Sequence, residues 1–182
     1  MLPMSKYLAI LIFSVLMGCS RMESDATQNP DQLTKTPDSE SWNSEIYIDT
    51  EGRRAVVARA DYLAQFNETN EIELVGNVKL DFFDEAGQHV SYMTADTGFV
   101  HQNRNWLEAR SNVIVVSDSG LTLRTDQLLW YESKNRIETE RPIMLTTELD
   151  TLYGIGFESD ANLENWTIRK PTGVTYRELN YE

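Results

Sequence analysis

The chain has 182 residues, which suits one domain of ordinary size and leaves little room for a second. It carries 16 Lys and Arg against 29 Asp and Glu, and the resulting net charge of -13 argues against nucleic-acid binding, which requires clustered cations. A single cysteine excludes an internal disulfide and a cysteine-based zinc site, and two histidines are too few for a histidine metal cluster. We therefore expect neither a metal nor a cofactor.

The N-terminal residues have the features of a bacterial secretory signal. Lys6 precedes the apolar run 7–17, which is too short for a hydrocarbon core that needs about 20 helical residues. The tetrapeptide Leu16–Cys19 resembles the lipobox of bacterial lipoproteins. That resemblance implies cleavage after Gly18, lipidation of the Cys19 thiol and a location outside the cytoplasm. The alternative is an uncleaved anchor in which the cysteine stands by chance.

Composition divides the chain into three segments. Residues 1–18 are the predicted lipoprotein signal peptide. Residues 19–44 are polar and rich in Ser, Thr, Asp and Gln, a composition that cannot bury a core, so we expect a disordered tether. Residues 45–182 are rich in Val, Ile, Thr, Tyr and Trp alternating with polar residues, which predicts a β domain.

An internal repeat organises the β domain. Four aspartates, called the marker aspartates below, are spaced 35, 30 and 34 residues apart: Asp61, Asp96, Asp126 and Asp160. A β-branched residue follows each of the first three at a constant distance of 17 residues, which indicates stacked strand pairs. The segment 54–66 has an apolar spacing that fits helix and strand alike, and the repeat favours a strand. Because a catalytic pair needs two unlike environments, the repetition of these carboxylates favours a structural role in turns or at strand ends.

Alternate positions within the repeated strands are apolar or small, and the positions between them, such as Glu73 and Glu108, are polar. This period of two predicts half-buried strands with one apolar face. Arg141 interrupts that face, which indicates a bulge or an opening there. Small residues on the same face allow either two closely packed sheets or a groove for an apolar ligand. The residues predicted to line the groove are Val56, Ala58, Ile72, Leu74, Val78, Leu80, Met93, Leu107, Val113, Val115, Leu121, Leu123, Ile143, Leu145, Ile155 and Phe157.

Four segments, in order, resemble successive segments of the LptC family of periplasmic lipopolysaccharide-export components: Leu74–Val78, Gly120–Leu128, Ile137–Thr139 and Leu152–Glu158. The similarity runs from about residue 50 to residue 173. It implies an all-β fold, an open, twisted antiparallel β-jelly roll in two sheets, whose apolar interior takes the acyl chains of lipid A. Gly76, Gly154 and Gly156 stand at glycine positions of the family.

The resemblance further implies a transfer protein without catalytic residues. Its ligand would be lipopolysaccharide, and its partners an LptB2FG-type inner-membrane ABC transporter and an LptA-like β-jelly-roll protein, docked on the sheet edges. Familiar LptC proteins use an uncleaved transmembrane helix, whereas this chain has a lipobox. We therefore expect a periplasmic domain held through lipidated Cys19, at the inner membrane in preference to the outer. The alternatives are a structural envelope lipoprotein with a closed interior or another OstA-like β scaffold without lipid transfer, and an enzyme acting on envelope glycans, for which no privileged carboxylate pair is found.

Overall fold

A computed structural model describes residues 36–176 of the chain. A three-residue 3-10 helix, Glu132–Lys134, interrupts an otherwise all-β architecture in this part. The predicted fold class is confirmed, and the ambiguous segment 54–66 is a strand. The nine strands are β1 (Ser39–Thr50), β2 (Arg53–Phe66), β3 (Glu71–Phe83), β4 (His89–His101), β5 (Trp106–Ser117), β6 (Thr122–Tyr131), β7 (Arg136–Thr146), β8 (Asp150–Asp160) and β9 (Thr167–Tyr176).

The strands form one antiparallel sheet in which spatial order equals chain order. Each inner strand is hydrogen-bonded to the strand before it and the strand after it, and β1 and β9 are the edges. The backbone ladder is therefore continuous, where the family resemblance implied two sheets. The prediction of an open antiparallel sheet built from repeated strand pairs is confirmed.

The predicted boundary between tether and β domain is wrong, because β1 begins at Ser39, six residues before Glu45. The Asp38 amide donates to the Gln65 carbonyl at 2.8 Å, and the Asn67 amide donates to the Asp38 carboxylate at 2.8 Å. The first half of this edge strand is largely exposed, so its polar side chains gave no apolar alternation to detect. The predicted signal peptide, Cys19 and the rest of the tether up to residue 35 lie outside the described residues.

A β-bulge interrupts the ladder near the middle of the repeated strands. In β3, Gly76 and Asn77 both have positive φ, +76° and +44°, and the pairing with β4 shifts register there. Asn77 Nδ2 donates to Asp61 Oδ2 at 2.7 Å, and a Cβ added to Gly76 would lie 2.9 Å from the same oxygen. One repeat later, Asn112 Nδ2 donates to Asp96 Oδ2 at 2.7 Å. These marker aspartates thus have the structural role that their repetition predicted.

Bulges bend and twist a strand, and here the bent sheet curls over its own apolar face. The rings of Phe82 in β3 and Trp130 in β6 pack edge-on with centroids 5.8 Å apart. Ser91 Oγ in β4 donates to the Ala161 carbonyl after β8 at 2.5 Å. Both contacts join strands that are distant in the sheet. The core therefore lies between the two ends of a single sheet.

The outer face carries much of the charge, including the buried carboxylates of Asp81 and Glu108. Glu108 lies between the core residues Leu107 and Ala109 and is only 3% exposed. Its oxygens accept hydrogen bonds from Arg110 Nε at 2.6 Å, from Arg110 Nη2 at 2.8 Å and from Gln127 Nε2. Burial alone would raise the pKa of Glu108, but these hydrogen bonds and the Arg110 charge outweigh it and hold the pKa below its ordinary value of 4.5.

We predict that Glu108→Gln weakens the acid dependence of stability. A carboxylate with a lowered folded-state pKa stabilises the fold above its unfolded-state pKa, and the stabilisation is lost as pH falls through the folded-state pKa. Wild-type unfolding free energy, from urea titrations, should therefore decline below about pH 4.5, and the variant should decline by about 1 kcal/mol less. Glu85→Gln, at a side chain that is 91% exposed, should decline like the wild type. An unchanged decline in Glu108→Gln would contradict the prediction.

Candidate functional site

The apolar interior extends from β2 to β8 as one continuous cluster of buried side chains. All but two of the predicted lining residues belong to it, and Val56, Leu74 and Leu123 have no exposed surface. The face assignment from alternation is thereby correct for these residues. Their burial places them in the interior, and contact with a ligand stays a prediction. Of the two exceptions, Leu121 is partly buried and packs against the cluster.

Ile155 is the second exception, and its predicted inward position is wrong. It is 43% exposed, whereas Gly154 and Phe157 on either side of it are buried. Gly156 has a φ of +79°, and the register between β7 and β8 shifts there. The bulge reverses the alternation of inward and outward positions along β8. A strict period of two cannot anticipate that reversal.

Several core residues escaped the sequence analysis for identifiable reasons. Phe82 lies two residues after Leu80 and therefore on the same face of β3, so the alternation does indicate its burial. Trp130 lies seven residues after Leu123, so strict alternation would place it on the outer face. It is buried because the pairing of β6 with β7 shifts register between the two residues. Leu163 lies in the loop between β8 and β9, where no periodicity operates, and is 1% exposed. The interior therefore contains two large aromatic side chains and a loop residue beyond the predicted set.

The loop after β8 closes part of the interior. Leu163 inserts there with a φ of +60°, a conformation that branched side chains rarely adopt. The Asp160 carboxylate holds the loop by accepting hydrogen bonds from the Glu164 amide at 2.9 Å, the Asn165 amide at 3.2 Å and Asn165 Nδ2 at 2.6 Å. The fourth marker aspartate is thus also structural.

Two neighbouring clefts open beside β1. The first, about 260 Å³, is bordered by Ile46 and Ile48 of the edge strand and by Leu107 of β5. The second, about 310 Å³, lies between the β1–β2 turn, the β3–β4 turn and the 3-10 helix, and is lined by charged side chains. Both include Trp130 and Glu132 in their walls. The clefts therefore adjoin each other at the edge of the apolar interior.

Two of the family-position glycines let β9 approach β8 closely. A Cβ on Gly154 would lie 2.2 Å from Ile168 Cγ2 and 2.9 Å from the Lys170 carbonyl oxygen. At Gly156 the Arg169 side chain lies 3.3 Å from the position that a Cβ would occupy. The Arg169 guanidinium forms ion pairs with Glu138, Glu140 and Glu158. The second edge strand is thus fixed by steric fit inside and by ion pairs outside.

Neither a metal centre nor a membrane-spanning helix is found in the described part of the chain. Within residues 36–176, no group of three or more His, Cys, Asp or Glu side chains is arranged to hold a metal ion. Over the same residues, no helix has the length and apolarity needed to cross a bilayer.

The model of a protein family described as "Lipopolysaccharide-assembly, LptC-related" matches residues 6–176. The chain belongs to the LptC-related family. No curated protein matches it. The fold of this LptC-related chain is similar to the crystal structure of LptH, the LptA-homologous periplasmic component of the conserved lipopolysaccharide transport device from Pseudomonas aeruginosa. The TM-score is 0.52 over 68% of this chain and 94% of that chain, and the identity of 11% means that the similarity concerns the fold alone.

Family membership confirms the resemblance that the repeated segments carry. It makes the LptC-related chain a lipopolysaccharide-assembly protein and agrees with the expectation of a transport component in place of an enzyme. The apolar interior of the curled sheet is accordingly the candidate functional site.

We predict that Gly154→Ala destabilises the docking of β9. The added methyl would overlap Ile168, and overpacking of this kind costs about 1–3 kcal/mol. Urea unfolding should show the loss of stability. Amide hydrogen exchange, compared with the wild type, should accelerate more in β9 than in β3. Gly173→Ala, in β9 itself, is the matched control, because its Cβ would meet no heavy atom within 4 Å. Equal losses in the two variants would contradict the steric account.

Proposed function

We propose that this LptC-related chain is a periplasmic lipopolysaccharide-transfer protein that takes the acyl chains of lipid A into its apolar interior. The observation that carries the proposal is a buried apolar cluster extending from β2 to β8 within a sheet that is open at both edges. Lipid sites are concave and mostly apolar, which fits this interior. Membership of a lipopolysaccharide-assembly family supplies the ligand class.

Acyl chains require the interior to widen. Its lining side chains are close-packed, since Val56, Leu74 and Leu123 have no exposed surface. Because β1 and β9 do not pair with each other, the sheet is not closed into a barrel. Its two ends can therefore separate at the cost of side-chain contacts alone, with every backbone ladder intact. This freedom suits a site that is filled and emptied repeatedly.

The sheet edges are the proposed docking places for an LptB2FG-type ABC transporter and an LptA-like β-jelly-roll protein. An edge strand offers unpaired backbone N–H and C=O groups that accept a further strand. Exposed apolar side chains accompany both edges. On β1, Trp42 is 65% and Tyr47 54% exposed, and on β9 Val174 is 47% exposed.

The proposed attachment is a lipidated Cys19 that holds the domain at the inner membrane. Cys19 precedes Ser39, the first residue of β1, by 20 residues, which leaves a short connection between anchor and domain. Two or more acyl chains on one cysteine give lasting attachment, because each buried methylene contributes about 0.8 kcal/mol. A covalent lipid also suits a chain whose net charge of -13 opposes adhesion to anionic membranes.

A structural envelope lipoprotein without lipid transfer is the second candidate. The close packing of the interior favours it, since a scaffold needs a filled core and no cavity. The two functions differ in whether lipid ever contacts the buried side chains.

We predict that photo-crosslinking side chains placed at Val78 and Leu123 capture lipopolysaccharide in intact cells. Both residues are buried in the interior, with 1% and 0% exposure. Probes at Asn77 and Arg124, which are exposed neighbours on the same two strands, are the matched controls and should capture none. Capture only from the outward positions would contradict the face assignment. No capture from any position in a folded protein would favour the scaffold.

We predict that the mature protein begins with a lipidated Cys19. Intact-mass measurement of the membrane-extracted protein should give residues 19–182 plus diacylglycerol and acyl mass. Cys19→Ala should lose the added mass, and the neighbouring Ser20→Ala should keep it. A wild-type protein that retains residues 1–18 would contradict lipoprotein processing and would favour an uncleaved anchor.

A further inference from the structure

We propose that the charged cleft beside β1 is a subsite for the headgroup phosphates of a phosphorylated glycolipid, such as lipid A. The inference rests on the proposed function, because it assumes that acyl chains enter the adjoining apolar interior. It adds a specificity element at one defined end of that interior.

The geometry places a cleft with three cations and four carboxylates in its lining directly beside an apolar one. Along β1, Ile46 and Ile48 line the apolar cleft, and Thr50 lines the charged cleft. The hydrogen bond from Thr50 Oγ1 to Glu132 Oε1, 3.0 Å long, crosses from β1 to the 3-10 helix where the clefts adjoin. An amphipathic ligand that lies along this edge would have its apolar part on one side of that bond and its polar part on the other.

Three cations line the charged cleft, namely Arg53, Arg54 and Lys134. Within the described residues Lys134 forms no ion pair, and its Nζ lies 5.9 Å from the Tyr131 ring centroid. Arg54 Nε lies 2.5 Å from Asp49 Oδ1. Guanidinium groups bind phosphate oxygens through two parallel hydrogen bonds, and an ammonium group adds a mobile point charge. The three side chains supply the donors that a phosphate group requires.

The carboxylates of the cleft leave these cations accessible. Arg53 pairs with Glu51 at 3.3 Å and with Glu85 at 3.9 Å, and the two carboxylate side chains are 80% and 91% exposed. Exposed pairs of this kind contribute little, so a phosphate can replace them. Asp84 is occupied by its own turn, since it accepts the amides of Ala86 at 2.9 Å and Gln88 at 2.8 Å. Glu132 is engaged by Thr50.

A buried donor without a partner stands in the wall that the clefts share. Trp130 is 3% exposed, and its indole Nε1 has no hydrogen-bond partner among the described residues. Buried indole N–H groups usually have a partner, so an unsatisfied one requires an explanation. In an acylated sugar phosphate, the acyl carbonyl oxygens lie between the hydrocarbon chains and the phosphates. Trp130 lines both clefts, so this residue lies between the apolar side chains of one and the cations of the other.

The test compares two forms of one ligand. Bisphosphorylated lipid A and the same lipid A after removal of both phosphates would displace a fluorescent fatty acid from the purified full-length protein. We expect the wild type to bind the phosphorylated form about tenfold more tightly. In the triple variant Arg53→Gln, Arg54→Gln and Lys134→Gln, the preference should fall to about twofold or less. Inorganic phosphate forms a third arm and should displace nothing at millimolar concentration.

The matched control replaces three cations that are exposed away from the cleft, through Arg124→Gln, Arg141→Gln and Lys170→Gln. It removes the same charge and should keep the preference. Loss of the preference in both triple variants would mean that the net charge of the protein, and not the cleft, selects the phosphorylated lipid, and it would overturn the subsite. Equal binding of the two lipids by the wild type, or effective competition by inorganic phosphate, would overturn the subsite and leave the proposed function standing. Failure of the wild type to bind either lipid would overturn both.

Discussion

The hydrogen bonds between an aspartate and an asparagine at the β-bulges of β3 and β5 are the constraint on which the rest of the fold depends. Asn77 and Asn112 occupy positive φ at the bulges of β3 and β5, and each amide is held by the aspartate of the preceding strand. Left-handed backbone is tolerated by asparagine and costs most other residues except glycine more. Because the bulges recur one repeat apart, the bends accumulate. One continuous sheet can then enclose its own core.

That core explains both the strength of the sequence prediction and its limits. The repeat identified which face of β3 and β5 is buried, and the polar Arg141 indicated the irregularity that the structure has in β7. The failures lie where an inserted residue changes parity, as at Ile155, or where no alternation exists, as in the loop that carries Leu163. Alternation reports burial within a strand and cannot report where a bulge falls.

The start of β1 and the clefts beside it could not be predicted from the sequence for a different reason. An edge strand needs backbone partners on one side only, so the mostly polar first half of β1, residues 39–44, still pairs with β2. The clefts depend on contacts between residues far apart in the chain, such as Thr50 with Glu132, a separation of 82 residues. Long-range contacts of this kind follow from how far the sheet curls. The repeated Asp–Asn pairs mark where the sheet bends, but no local pattern gives the extent of the resulting curvature.

The number of strands also sets the direction of any extension of this sheet. Residues 36–176 contain nine antiparallel strands, an odd number, so β1 and β9 run in the same direction. A second sheet of the same architecture and orientation, added after β9, would therefore present its first strand in parallel to it. Parallel ladders are slightly less stable per residue than antiparallel ones. A junction of that polarity would keep the two interiors aligned and would be comparatively easy to separate.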